Sequence, residues 1–351
     1  MMNARCISAS LKLTFWCIPM VFAIGAPVLA IGMGQGTPLP VQGQFTSPQW
    51  RPDGQGLALA GPKFQGLFYS DLGGNATTIS DAALAGWRFA WSPDGSNLAY
   101  RARDEGTDQL ALMMGGPGGE SQQASPYLND MFPPKWDEDG VTYRTGDELV
   151  TLDKDGKVKR CQSLSQGRGL LSRIASISAS FALNHITGAT FTAYGSVLSA
   201  QAAKDKAEKG IYVDPDNQIW VVDENGNKKK LINVADEDGY FNPVESSDGK
   251  YAVSGLSGDL YVADPNSGAP VNLGNGCNPT WSPDGRFLIF QRSTDDGHNL
   301  LSSQLWLVSA DGTMSKQLTT DGMCEYPSWS PNGAYIAYVI NGVVYIAPII
   351  P

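Results

Sequence analysis

Apolar and polar residues alternate along this chain in short runs, and the runs return in a fixed order. One run ends in a tryptophan. A few turn residues follow, closing on Asp-Gly or Asn-Gly. A stretch with a period of two then begins, the mark of a β-strand. The tryptophan and its turn read WRPDG from Trp50, WSPDG from Trp91, WDEDG from Trp136, WSPDG from Trp281 and WSPNG from Trp329. Two degenerate copies fill the gap, NHITG from Asn184 and ESSDG from Glu245. The seven starts are spaced by 41, 45, 48, 61, 36 and 48 residues.

The residue types of the motif are turn chemistry. Pro fixes φ, and Asp53, Asp94, Asp139, Asp284 or Asn332 can hydrogen-bond the nearby backbone. Gly54, Gly95, Gly140, Gly285 and Gly333 accept positive φ. NLAY (97–100), FLIF (287–290) and YIAY (335–338) then read as second strands, rich in β-branched and aromatic residues. Third strands follow at 66–71, 109–114, 148–153, 218–223, 259–264, 304–309 and 343–348. A second turn opens a fourth strand, as in DGTMSKQLT (311–319) and ENGNKKKLI (224–232).

Four antiparallel strands in some 45 residues, repeated about a ring, predict an all-β fold of the β-propeller type. The spacing predicts seven blades. The alternative of six requires the 109 residues between Trp136 and Glu245 to form a single blade. The last repeat runs out of chain after its third strand, so the missing strand is expected from the N-terminal side, around Leu39 to Phe45. The repeated tryptophans read as packing between blades.

Residues 1–30 contain no Asp or Glu. Arg5 and Lys12 precede the apolar run 13–30, which Pro19 and Pro27 interrupt and Val28-Leu29-Ala30 ends. This predicts a secretory signal peptide over 1–30, cleaved after Ala30. An uncleaved anchor is the alternative, although two prolines in eighteen residues suit a membrane span poorly. Residues 31–351 are then one propeller domain in the periplasm or outside the cell, with no stable membrane span. Ser196 to Lys209, rich in Ala and Lys and free of Pro and Gly, predicts a helical insertion near 195–210.

Composition narrows function further. The formal charge is −10, and removal of Arg5 and Lys12 makes it −12, with 23 basic against 35 acidic residues. Such a surface repels a phosphate backbone, so nucleic acid is not the expected partner. There are two histidines, His185 and His298, in different repeats, and no G-x-S-x-G elbow. These facts weigh against an enzyme without settling the matter. No cofactor or metal site is expected. The acidic turns 137–139, 236–238 and 295–296 leave room only for weak calcium binding. Cys277 and Cys324 sit four and five residues before a motif tryptophan in neighbouring repeats, which makes a disulfide between them a candidate.

PTWSPDGRFLIF (279–290), QLWLVSADGTMSKQLT (304–319) and YPSWSPNGAYIAY (326–338) closely resemble the repeat of TolB-type propellers. The family's namesake carries a separate N-terminal α/β domain. About twenty residues separate Ala30 from Trp50, so the resemblance implies the propeller fold rather than that protein's own role. Propellers of this kind occur as protein-binding scaffolds, in prolyl oligopeptidases and in some polysaccharide lyases. The first expectation is therefore an exported, non-catalytic scaffold or envelope-complex subunit that binds a protein. The alternative is a glycan- or peptide-directed enzyme or binding protein working in the central funnel. Asn242, Asn278, Glu325 and Tyr326, ahead of the motif tryptophans, are the candidate funnel residues.

Overall fold

The computed structural model describes residues 31–350 except 147, 164–209, 215, 223–226, 235–238 and 297–299. The described residues form seven antiparallel sheets in chain order. The first holds β3 (Thr46–Trp50), β4 (Gly56–Ala60), β5 (Leu67–Asp71) and β6 (Ala76–Ser80). The second holds β7 (Ala90–Trp91), β8 (Leu98–Arg103), β9 (Leu110–Gly115) and β10 (Ser121–Gln123). The third holds β11 (Lys135–Asp137), β12 (Gly140–Thr145), β13 (Glu148–Leu152) and β14 (Val158–Ser163). Three strands are described in the fourth: β15 (Gly210–Val213), β16 (Ile219–Val222) and β17 (Lys228–Lys230).

The fifth sheet comprises β18 (Tyr240–Glu245), β19 (Tyr251–Gly255), β20 (Asp259–Ala263) and β21 (Val271–Asn275). The sixth comprises β22 (Cys277–Trp281), β23 (Phe287–Asp295), β24 (Leu300–Ser309) and β25 (Ser315–Gln317). The seventh is built from β26 (Cys324–Trp329), β27 (Tyr335–Ile340) and β28 (Val343–Ile350), completed by β1 (Gly32–Met33) and β2 (Thr37–Pro38). Six sheets thus carry at least four strands. Residues 1–30, Asn184 with the strand expected after it, and the expected helix at Ser196 to Lys209 lie outside the described residues.

The second strand of each sheet explains why the sheets stack. All five residues of β4 are buried. Leu57 and Leu59 pack with Ala337, Val339 and Val344 of the seventh sheet. Ala58 and Ala60 pack with Phe89, Leu98 and Tyr100 on the side of the second. In β23, Leu288 and Phe290 face the fifth sheet while Phe287 and Ile289 face the seventh. Period-two alternation therefore serves two neighbours, and no face is left for water.

Ring closure comes from the N-terminal side, as expected, and starts a few residues further upstream. Gly32 and Met33 pair with Ile350 and Ile349, and Thr37 and Pro38 pair with Ile346 and Tyr345. The pairing continues through the expected segment, where the Leu39 and Phe45 N–H groups donate to the Val344 and Gly342 carbonyls at 2.8 and 2.7 Å. Their side chains are buried with Trp50 and Leu57 between the seventh and first sheets. Backbone and side chain thus serve the edge and the core together.

The motif tryptophans tie each sheet to the preceding one. Trp50 Nε1 donates to the Ser328 carbonyl at 3.1 Å, Trp91 Nε1 to Gln49 at 3.4 Å and Trp281 Nε1 to Val244 at 2.9 Å. Each acceptor stands just before the motif position of the previous sheet. Trp329 departs from this: its Nε1 donates to Gly333 of its own turn, and its backbone N–H reaches Thr280 Oγ1 at 3.2 Å. Trp136 is half-buried against the core between the second and third sheets.

The turn after the tryptophan has a feature that the reading of Asp and Gly alone missed. Ser92 and Ser282 donate to Asp94 and Asp284 at 2.6 Å each, and Ser330 donates to Asn332 at 2.8 Å. The same serine hydroxyls accept the N–H groups of Asn97, Phe287 and Tyr335. Gly95, Gly285 and Gly333 close these turns at φ of 69°, 68° and 74°. Asp53 does similar work with Gln55, and Asp137 rather than Asp139 accepts in the third sheet.

Two predictions follow from this frame. Trp281→Phe keeps a ring but strands the Val244 carbonyl, so urea unfolding should lose about 1–2 kcal/mol with an unchanged m-value; an unmoved midpoint would make the indole mere filler. The second concerns acid. Ser92 first, then the Ser96 N–H and hydroxyl, hold the Asp94 carboxyl down to about 2. A carboxyl lowered on folding adds stability above its unfolded value of about 3.9, and that stability disappears as pH falls through the folded value. Asp94→Asn keeps the acceptor, as Asn332 does naturally, but cannot titrate. The gap in urea midpoint between parent and variant should therefore shrink between pH ~4 and ~2.

Candidate functional site

The first strands of the sheets form the inner ring. β26 touches both β22 and β3, β18 touches β22, and β7 touches β11, whereas the fourth strands lie on the far edge of each sheet. Among the described residues a central channel is therefore lined by first strands that start at the same end.

At that end the inner strands share a defect. The ladder slips between Thr46 and Gln49, Phe241 and Val244, Cys277 and Thr280, and Glu325 and Ser328. Each slip contains a non-glycine residue with left-handed backbone: Ser47 (φ 49°), Asn242 (55°), Asn278 (50°) and Tyr326 (51°). Arg88, three residues before Trp91, has φ 55° without a mapped ladder beside it. Asn tolerates this conformation; Tyr and Arg adopt it at a cost that the surrounding sheet must offset. Such a bulge re-aims side chains.

Three candidate funnel residues, Asn242, Asn278 and Tyr326, hold this bulge position, and Glu325 immediately precedes it. They stand within strands rather than in loops ahead of them. Asn278 and Tyr326 also meet. The Asn278 Nδ2 donates to Gln291 Oε1 at 3.0 Å, and the Tyr326 backbone N–H reaches the same oxygen at 3.3 Å. Gln291, which is buried, therefore joins the bulges of the sixth and seventh sheets. Asn242 lies on the fifth sheet beside exposed Phe241.

Glu325 and Tyr326 line a cleft of about 230 Å³ together with Thr46, Lys63, Phe64 and Val339. Phe64 meets the Tyr326 ring edge-on, with centroids 6.3 Å apart. Burial alone raises the Glu325 carboxyl above its ordinary value. Burial also pushes the Cys277 thiol up to about 11, and the nearby Glu325 charge adds to this.

Cys277 and Cys324 are both free thiols, so the disulfide suggested by their spacing is not formed. The reason is one residue of register. Cys277 and Glu325 each stand four before their tryptophan and face one another electrostatically. Cys324 is one residue earlier and turns the other way, into the core with Phe287, Ile289 and Leu305. Its Sγ donates to the Asp321 carbonyl at 3.3 Å.

Among the described residues no three His, Cys, Asp or Glu side chains converge as metal ligands. Asp137 accepts the Asp139 N–H at 2.9 Å, and Asp139 pairs with Lys159 at 3.2 Å. Residues 236–238 and both histidines lie outside the described residues. Among the described residues no helix is long and apolar enough to cross a membrane.

No protein-family model and no curated protein sequence matches the chain. A solved structure does match it, the β-propeller domain of Cps50 (Swd1) from Myceliophteria thermophila. The TM-score is 0.56 at 12% identity, over 91% of this chain and 99% of that one. The chain is a β-propeller. It also matches TolB from Acinetobacter baumannii, with a TM-score of 0.45 and 16% identity over 82% of this chain, and spans 57% of that chain's length. At such identities the likeness concerns the fold alone.

Glu325 offers a direct test of the cleft in this propeller. An acid raised on folding adds stability below its unfolded value and loses it as pH rises through the folded one. Glu325→Gln should therefore be more stable than the parent at neutral pH and equal to it near pH ~4, read from urea midpoints across that range. A variant weaker than the parent at pH 7 would mean that Glu325 has an ionic partner.

Proposed function

We propose that the chain is an exported, non-catalytic propeller that holds a protein partner at the bulged end of its channel. The observation that carries this reading is the set of left-handed bulges. One backbone device, repeated around the ring, presents a hydroxyl, a guanidinium, two carboxamides and a phenol. A repeated frame with differing side chains suits recognition of an extended surface better than one localised reaction.

Neighbouring features support the same end as the contact face. The β23–β24 hairpin continues four rungs beyond Gln291, to the pair Asp295 and Leu300. That extension is about 13 Å of strand. Leu301, near its tip, is 60% exposed, and Leu256, whose N–H bonds Gly239 just before Phe241's strand, is 53% exposed. Aromatic and aliphatic groups rimmed by polar ones are typical of protein contact sites. The apolar segment 13–30 supports export.

Site-specific photocrosslinking in the producing cell tests this reading. Probes at Asn242, Asn278 and Leu301 should give one discrete adduct with a protein identified by mass, and probes at Lys157 and Lys229 on outer edges should not. Asn278→Ala with Tyr326→Ala should weaken binding of that purified partner at least tenfold, and the secreted chain should begin at Ile31. Adducts only from outer positions, or turnover of a glycan or peptide without any adduct, would overturn the scaffold reading.

A further inference from the structure

A group of arginines gathers on the second and third sheets. Arg101 stands four residues after Asn97, as Gln291 stands four after Phe287, so the two hold equivalent places on second strands. Arg144 holds that place in the third sheet. Arg101 is 3% exposed. Its guanidinium lies 4.5 Å from the Trp87 ring centroid, and its Nη1 donates to the Met131 carbonyl at 2.5 Å. Its Nε and Nη2 are buried and meet no acceptor. Arg88 also lies over the Trp87 indole, at 5.6 Å, and Arg144 lies 4.4 Å over Phe132.

Two carboxylates along this sector are committed elsewhere. Asp108 pairs with Arg103 at 3.3 Å. Asp130 accepts from Thr145 Oγ1 at 3.0 Å and from the Gly146 N–H at 2.9 Å. Burial first, then the charges of Arg88 and Arg103, lowers Arg101 to about 10. It is a cation held among cations. A buried cation with no counter-charge and two donors left without acceptors is destabilising, and a native chain that keeps one calls for an explanation.

The identity of the two unpartnered nitrogens points to a ligand. Nε and Nη2 form one edge of the guanidinium, with N–H bonds running side by side. That fork matches the two oxygens of a carboxylate. We propose that this sector of the channel binds a carboxylate, held by the Arg101 edge, with Arg88 beside it and Trp87 as its wall. The site stands whether or not the channel rim binds a protein.

Thermal unfolding of the secreted protein at neutral pH, in acetate, phosphate or chloride at matched ionic strength, tests this. Acetate should raise Tm saturably over chloride, because a ligand of the native state stabilises it by mass action. Arg101→Gln should abolish the acetate-specific rise. Arg88→Gln should weaken the fitted acetate affinity about tenfold, the scale of one charge-assisted hydrogen bond. Lys229→Gln, on an outer edge, should leave it unchanged. Should Arg101→Gln fail to fold, Arg101→Lys keeps the charge without the fork and should still lose acetate affinity tenfold or more. An acetate response surviving in either Arg101 variant overturns the proposal. So does a parent that responds to phosphate and not to acetate.

Discussion

Each sheet of this ring has two apolar faces, and neither can remain in water. The constraint is visible residue by residue in the second strands. Leu57 and Leu59 reach one neighbour while Ala58 and Ala60 reach the other. Ile336 and Tyr338 face the sixth sheet while Ala337 and Val339 face the first. A sheet of this kind has no stable existence alone, so the array must continue until it meets itself. The N-terminal strands complete that condition by pairing with Val343–Ile350, joining the ends of the chain in one sheet. The indole bonds from Trp50, Trp91 and Trp281 then fix the angle at which neighbours meet, because each links a side chain of one sheet to a backbone carbonyl of the last.

Having spent its apolar residues between sheets, the fold leaves the innermost strands comparatively free. Their outer edges are paired, but their starts slip register and enter left-handed backbone. Such strain is tolerated because the flanking ladder holds the strand on both sides of the slip. A bulge decouples the side chain at its centre from the alternation that the core imposes, so Ser47, Arg88, Asn242, Asn278 and Tyr326 can differ in chemistry at equal structural cost. Variation is thereby confined to the channel mouth, while the turns on the opposite end repeat nearly the same Ser-Pro-Asp-Gly chemistry.

The ring was legible in the sequence because its signals are local. Trp, Pro, Asp and Gly act within a few residues of one another, and the strand that follows alternates. The serine between Trp and Pro was overlooked for the opposite reason. Its hydroxyl spans two partners, Asp94 and the Asn97 N–H, and only three-dimensional closure of the turn reveals both. Closure was foreseen around Leu39 and Phe45, which do bond the last hairpin, but its extension upstream to Gly32 was not, because that stretch carries little apolar alternation. The candidate funnel residues were picked by their offset from the tryptophan, and that offset is where the bulge falls. The Arg101 sector was missed entirely, because a lone arginine in an alternating strand reads as a surface residue until the neighbouring sheet covers it. The disulfide idea failed on a one-residue offset, which in a strand selects the opposite face.

The electrostatics of the channel separate it from the rest of the molecule. At Asp71, Asp94 and Asp104, on exposed turns, hydrogen bonds outweigh desolvation and the carboxyls are lowered. Along the channel the order reverses. Desolvation is the first cause of the shifts at Arg101, Glu325 and Cys277, and each moves toward its neutral form. An acid and a base that shift this way have not found each other; they stand on different sheets, the seventh and the second. Had the fold needed them only for stability, pairing or an apolar replacement would have served better. A net charge of −10 over the whole chain makes the point stronger, since abundant carboxylates exist and none is spent on Arg101. Unpaired charges of both signs, desolvated and held on a rigid ring, are prepared to exchange their solvation deficit for contacts with groups brought from outside.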